Sequence, residues 1–85
     1  MATTTSTARH RSMLHAIADG RGRLLSGRYP TLSVDGRWCD FVATNELVGN
    51  DLVRPAWQAA AGSIAPAVLT QRGESTLAVL SRHSA

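Results

Sequence analysis

SVDGRWCDFV, residues 33–42, supports two readings, and the choice between them decides the fold. Its first half is a hairpin signal: β-branched chain, then Asp35-Gly36, a pair suited to a two-residue type I′ turn in which both central residues take positive φ. Its second half opens a helix. Asp40 is a good N-cap, and Ala43 to Leu47 contains no Gly or Pro. Alternation alone would let the returning strand reach Val42, but after Cys39 the period changes: Phe41, Leu47, Val48 and Leu52 suit helical spacing better. The stretch is therefore read as a junction. Thr31–Val34 is a strand, Asp35-Gly36 the turn, Arg37–Cys39 the short return, and Asp40 the cap of a helix running to about Gly49. The apolar residues of that helix spread over more than one face, which predicts burial on two sides.

Working outward, residues 8–19 read as a first helix, with Met13, Leu14, Ile17 and Ala18 on one face. Ser6 or Thr7 would cap it, Gly20 would stop it, and residues 1–7 would be a disordered polar tail. Arg23–Ser26 is β-like, and Pro30 excludes helix just before Thr31. Beyond the central helix, DLVRPA is a short strand stopped by Pro55, and residues 55–66 are a loop or arm of small residues. AVLT is another strand. QRGESTLAVLSRH is a last helix capped by Thr70, with Leu77 and Leu80 as its buried stripe.

These elements must fit into 85 residues, which predicts a single domain over 8–82. So short a chain buries only about 60–65% of its unfolded surface, so dimerisation would help it. Cys39 is the only cysteine, which excludes an internal disulfide and argues for a reducing compartment. No apolar run approaches the length of a membrane span, and the start lacks the apolar core of a signal peptide. The expectation is a soluble, cytoplasmic protein without membrane contact. Net charge is +3, and every basic residue besides histidine is arginine. That charge is compatible with nucleic acid and equally with plain solubility.

The second half, NELVGNDLVRP followed by AVLTQRGESTLAVL, resembles the end of winged-helix regulators: a helix, a strand, a wing, a second strand, then a helix opened by Leu-Thr-x-x-Gly-x-x-x-Leu. Here that pattern is Leu69-Thr70-Gln71-Arg72-Gly73-Glu74-Ser75-Thr76-Leu77. Its physical sense is that Leu69 ends a strand in the core, Thr70 caps the helix, and Gly73 lets the first turn lie close to a neighbour. The likeness covers roughly residues 40–82. PTLSVDGRWCDFVA and LVRPA are also similar to small actinobacterial and actinophage proteins. The resemblance implies an α+β, winged-helix-like fold of three helices with short antiparallel strands. It also implies a dimeric DNA-binding regulator of transcription or of a mobile element. Three features depart from the family. A hairpin stands where a second helix belongs. The wing, 55–66, has no arginine. The recognition helix is acidic, with Asp40 and Glu46.

Candidate contacts follow. Arg21, Arg23 and Arg28, interleaved with glycines, are an anion-contact cluster, against the plainer reading of surface arginines on a turn. Arg9 and Arg11 would extend it as a basic strip. Thr44 and Asn45 would read base edges, and Arg54 and Arg72, flanking the wing, would touch backbone phosphate. Trp38 is expected in the core. Trp57, partly exposed, and Ile64 would bind a partner or a twin chain. Cys39 with His10, His15 and His83 offers no metal-ligand spacing, no serine has a nucleophile motif, and DGRGR lacks the Gly-Lys-Ser/Thr end of a phosphate loop. No enzyme, metal or other cofactor is expected. The second reading is a protein-interaction module that keeps the winged-helix scaffold without DNA binding. The acidic central helix favours it, and loop 55–66 would be its docking arm.

Overall fold

The computed structural model describes residues 3–83 and runs α1 (Thr3–Ala18), β1 (Gly22–Leu25), β2 (Thr31–Val34), β3 (Arg37–Trp38), α2 (Phe41–Gly49), β4 (Val53–Pro55), β5 (Ile64–Leu69) and α3 (Gln71–His83). The fold is α+β: three helices and one antiparallel sheet of five strands in the order β3-β2-β1-β5-β4.

The opening junction forms as read. Asp35 and Gly36 have φ of 54° and 82°, so both occupy the left-handed region that a type I′ turn needs. Arg37 pairs with Val34 and Trp38 with Ser33, and the Cys39 N–H still donates to the Leu32 carbonyl at 2.8 Å. One residue later the chain turns into α2, where the Asp40 carboxylate accepts from the Ala43 N–H at 2.8 Å. The cap satisfies a donor with no partner inside the helix, so hairpin and helix meet without a linker.

β1 is the central strand, pairing with β2 on one side and β5 on the other. Gly22, Leu24, Ala65, Ala67, Leu32 and Val53 alternate inward, beneath all three helices. α1 lies in the middle of that layer, touching α2, α3 and strands β1, β2 and β5. Its Met13, Leu14 and Ile17 join Leu24, Leu32 and Leu47 in the core. Each fully buried leucine of this cluster contributes roughly 1.5–3 kcal/mol of transfer free energy. Gly22 lets α1 approach: a Cβ there would stand 2.9 Å from Ile17 Cγ1.

Several boundaries differ from the sequence reading. The backbone is already helical at Thr3, so neither Ser6 nor Thr7 is a cap and the tail does not extend to residue 7; Met1 and Ala2 lie outside the described residues. Once α1 is nucleated by its packed turns, each added residue gains a backbone hydrogen bond, and threonine opposes this only weakly. In α1 it is Ala16, not Ala18, that is buried with Ile17. α2 is buried on one face only, through Ala43, Thr44 and Leu47, whereas Phe41 and Val42 are 52% and 62% exposed.

β5 starts at Ile64 and so contains Pro66, where the sequence reading had a loop. The Pro66 carbonyl accepts from the Ala56 N–H at 2.8 Å, so the backbone polar groups of residue 66 point toward β4. The donor that proline lacks is thus lost where the β4–β5 hairpin opens, and the ladder to β1 is spared. The connecting loop shrinks to 56–63 and is not a free arm. The Gly62 N–H donates to the Ser26 carbonyl at 2.8 Å, and the Ser26 N–H to the Ser63 carbonyl at 2.9 Å.

The Leu-Thr-x-x-Gly pattern fixes α3. Thr70 Oγ1 accepts from the Gly73 N–H at 3.0 Å and donates to the Asp51 carbonyl at 2.5 Å. A Cβ on Gly73 would fall inside the van der Waals shell of the Leu52 carbonyl oxygen. Gly73→Ala should therefore cost about 2 kcal/mol or more, because backbone and not a flexible side chain would have to move. Asp40→Ala should cost about 1 kcal/mol through loss of the α2 cap. Urea denaturation of each variant measures both; a Gly73→Ala protein as stable as the parent would contradict the close approach.

Candidate interaction surface

With all three helices on one side, the other side of the sheet has no cover among the described residues. Cross-strand partners share a face, so the register assigns its members. One row is Trp38, Ser33, Arg23 and Pro66; a second is Thr31, Leu25 and Ile64; Val68 and Arg54 form a third. An antiparallel sheet covered on one side normally turns polar residues to water on the other. Here Trp38 is 60% and Ile64 56% exposed; Ile64, Leu25, Pro66 and Val68 adjoin one another, the last three half-buried, while Ser33 and Arg23 stand between Trp38 and Pro66.

At the end of the sheet carrying the β1–β2 loop there are further apolar groups. Tyr29 meets Phe41 edge to face, ring centroids 6.3 Å apart, and both are more than half exposed. Asp40 has just capped α2, so Phe41 and Val42 in its first turn point outward. Trp57, in the β4–β5 loop, is 58% exposed. The expectation that Trp38 lies in the core is overturned. Its neighbour Cys39 packs against the core instead, because successive strand residues face opposite sides.

The arginines do not gather. Arg21 and Arg28 sit at opposite ends of β1, Arg21 beyond its start and Arg28 in the loop after it, so with Arg23 they do not form the expected cluster; an extended strand keeps them apart. Arg21 is also paired, at 2.6 Å with Asp35 and 3.5 Å with Asp19. Arg9 reaches Asp40 at 3.5 Å, and His10 reaches Glu46 at 3.0 Å, so the carboxylates of α2 are met by α1. Of the expected basic strip, Arg11 and Arg21 do come together, bordering one cleft of about 550 Å³ with Ser12, His15 and Ser81. Arg54 is on the uncovered sheet face, whereas Arg72 sits in the first turn of α3 and donates to the Asn50 carbonyl at 3.4 Å. These two belong to opposite layers. Among the described residues neither Arg23 nor Arg54 meets a carboxylate; each donates only to a nearby backbone carbonyl, of Gly22 and Pro55 respectively.

Thr44 is 1% exposed, packed beneath α2, and cannot touch a base; Asn45 is exposed. The sequence reading missed this because Thr44 shares the buried face with Ala43 and Leu47, while Phe41 and Val42, the more apolar pair, point outward. The outward side of α2 therefore presents Phe41, Val42, Asn45 and Glu46, with no cation among them. A second missed feature, the apolar sheet face, had a signal in the alternate residues 64, 66 and 68, hidden by treating Pro66 as a loop residue.

No group of three or more His, Cys, Asp or Glu side chains able to hold a metal occurs among the described residues, and no described helix is long and apolar enough to cross a membrane. No family model, curated protein or solved structure matches the chain.

Thr44 and the half-buried Cys39 give testable consequences. Among the described residues, no group hydrogen-bonds the buried Thr44 Oγ1. Thr44→Val removes that unsatisfied hydroxyl and should stabilise the protein by about 1 kcal/mol; a loss of stability in thermal unfolding would show that the hydroxyl is used. Burial pushes the Cys39 thiol above its ordinary pKa. Since the thiolate is the reactive form, Cys39 should react with a disulfide reagent at pH 8 more slowly than free glutathione, and the gap should close on unfolding in urea.

Proposed function

We propose that the protein is a non-enzymatic protein-interaction module built on a winged-helix-like scaffold. The observation that carries this reading is the uncovered sheet face, where Ile64, Leu25, Pro66 and Val68 adjoin one another and Trp38 stands exposed across Ser33 and Arg23. Isolated apolar side chains on a surface need no explanation, but a contiguous patch on a sheet marks a binding surface. Tryptophan is also among the residue types enriched at the hot spots of protein interfaces. The helix that would read DNA in a winged-helix regulator turns apolar and acidic groups outward, which speaks for a protein partner.

DNA binding is the second reading. Its support is the order helix, strand, wing, strand, helix over α2 to α3, together with a net charge of +3. Phosphate contact would fall to Arg11, Arg23, Arg28, Arg54 and Arg72, because Arg9 and Arg21 are paired with carboxylates. Dimerisation through the same apolar face belongs to the interaction reading.

Two measurements separate the readings. Fluorescence anisotropy with generic duplex DNA at low salt and micromolar protein should detect no binding; saturable binding that weakens steeply with salt would favour the DNA reading. The double variant Trp38→Ala, Ile64→Ser should keep its urea stability within about 0.5 kcal/mol of the parent, since both side chains are mostly solvated. The same variant should lose proteins that the parent retains on affinity capture; unchanged retention would sink the proposed surface.

A further inference from the structure

The uncovered face has a charge pattern that narrows its partner. Of the chain's six carboxylate side chains, Asp19, Asp40, Glu46, Asp51 and Glu74 lie on the helices or at their ends, and Asp35 lies in the β2–β3 turn. None is on a strand. The face thus holds two arginines without an ion-pair partner among the described residues, set among apolar groups, and no anion. A second copy laid face to face would bring four arginines together with no compensating charge. A membrane or duplex would find only two cations.

The sheet edges also exclude one mode of binding. β3 is two residues long, and β4 is three and ends at Pro55. Strand addition needs a longer row of free backbone groups than either edge offers. A partner must lie across the face.

We propose that the uncovered face takes an acidic amphipathic helix of a protein partner, with two of its carboxylates on Arg23 and Arg54 and its apolar stripe on Trp38, Leu25, Pro66, Val68 and Ile64. This rests on the interaction reading above and gives it a partner class. The spacing fits. Arg23 is opposite Pro66 and Arg54 opposite Val68, so the two arginines are two strands and two residues apart. That diagonal is about 12 Å from the standard sheet dimensions. Residues seven apart on a helix are about 10.5 Å apart and lie on nearly the same side. Two turns of helix therefore place two carboxylates over the two arginines, and leucines between them over Pro66 and Val68. Exposed arginine–carboxylate contacts are worth little singly, so the apolar stripe supplies most of the affinity and the charges supply selectivity.

The test uses the full chain and three synthetic peptides of about 18 residues. All share one alanine-rich helical sequence and one leucine stripe, and differ at two positions seven apart, which carry Glu, Gln or Lys. Oligothymidine of similar length is the nucleic-acid arm. Binding is followed by fluorescence anisotropy, and the contact surface by backbone amide NMR shifts. The Glu peptide should bind about tenfold more tightly than the Gln peptide, the Lys peptide weakest, and added salt should erode the difference. Shifts should cluster at Trp38, Leu25 and Val68. Arg23→Gln and Arg54→Gln should each weaken the Glu peptide about threefold and leave the Gln peptide unchanged.

Equal binding of the Glu and Gln peptides, with loss of both on Trp38→Ala, would overturn the acidic partner and leave the interaction reading standing. Absence of shifts on the sheet with every peptide would overturn the docking face itself. Oligothymidine binding more tightly than the Glu peptide, with the same arginine dependence, would replace the proposal with a single-stranded nucleic acid.

Discussion

The ladder between β1 and β5 holds the two halves of the chain together. Arg23 is opposite Pro66, Leu24 opposite Ala65 and Leu25 opposite Ile64, about forty positions away along the chain. On one side of this ladder lies a meander, β1-β2-β3, whose strands follow one another through short turns. On the other lies the β4–β5 hairpin. Each is local and too small to bury much by itself. Joined through β1, they form one surface wide enough to carry three helices.

That ladder also explains the lopsided burial. Its inward residues are small where α1 and its neighbours press closest: Gly22 under Ile17, with Ala67 beside it. Its outward residues are Arg23, Leu25, Ile64 and Pro66, larger and, among the described residues, with no helix over them. The three helices among the described residues are all used on one face. The remaining face mixes two arginines with apolar groups, Ile64 and Trp38 the most exposed, and this is the physical basis for reading it as a place where something binds.

The same economy holds at the α2–β4 corner. Leu52 offers its carbonyl oxygen to the Thr70 N–H at 3.0 Å, while Gly73 presses on the same peptide unit from the first turn of α3. Thr70 closes the corner through the Asp51 carbonyl. One short pattern thereby sets the end of β5, the start of α3 and the distance of α3 from the rest. Leu77 and Leu80 are only half-buried, so this corner, more than its apolar stripe, fixes α3 in place.

Features that depend on neighbours along the chain are legible in the residues alone. Asp35-Gly36 requires a tight turn because both residues must take positive φ, Asp40 requires a helix start, and Thr70-x-x-Gly73 requires a capped and closely packed one. These are short-range matters of dihedral angle and hydrogen bonding, and all three form as read. What the sequence left open was which way each side chain faces, and only the tertiary structure decided it. Trp38 was expected inside and stands outside, because the pairing of Trp38 with Ser33 puts it on the face that no helix covers. Thr44 was expected to face a ligand and is buried, because α2 meets the sheet through Ala43 and Leu47. Arg21, Arg23 and Arg28 look like one cluster in the sequence, and an extended strand carries them to separate places. Pro66 argued against a strand, yet it stands in one, because the donor it lacks falls where the hairpin already opens. The deciding quantity is how one element lies against the others, and periodicity within a single element carries no information about it.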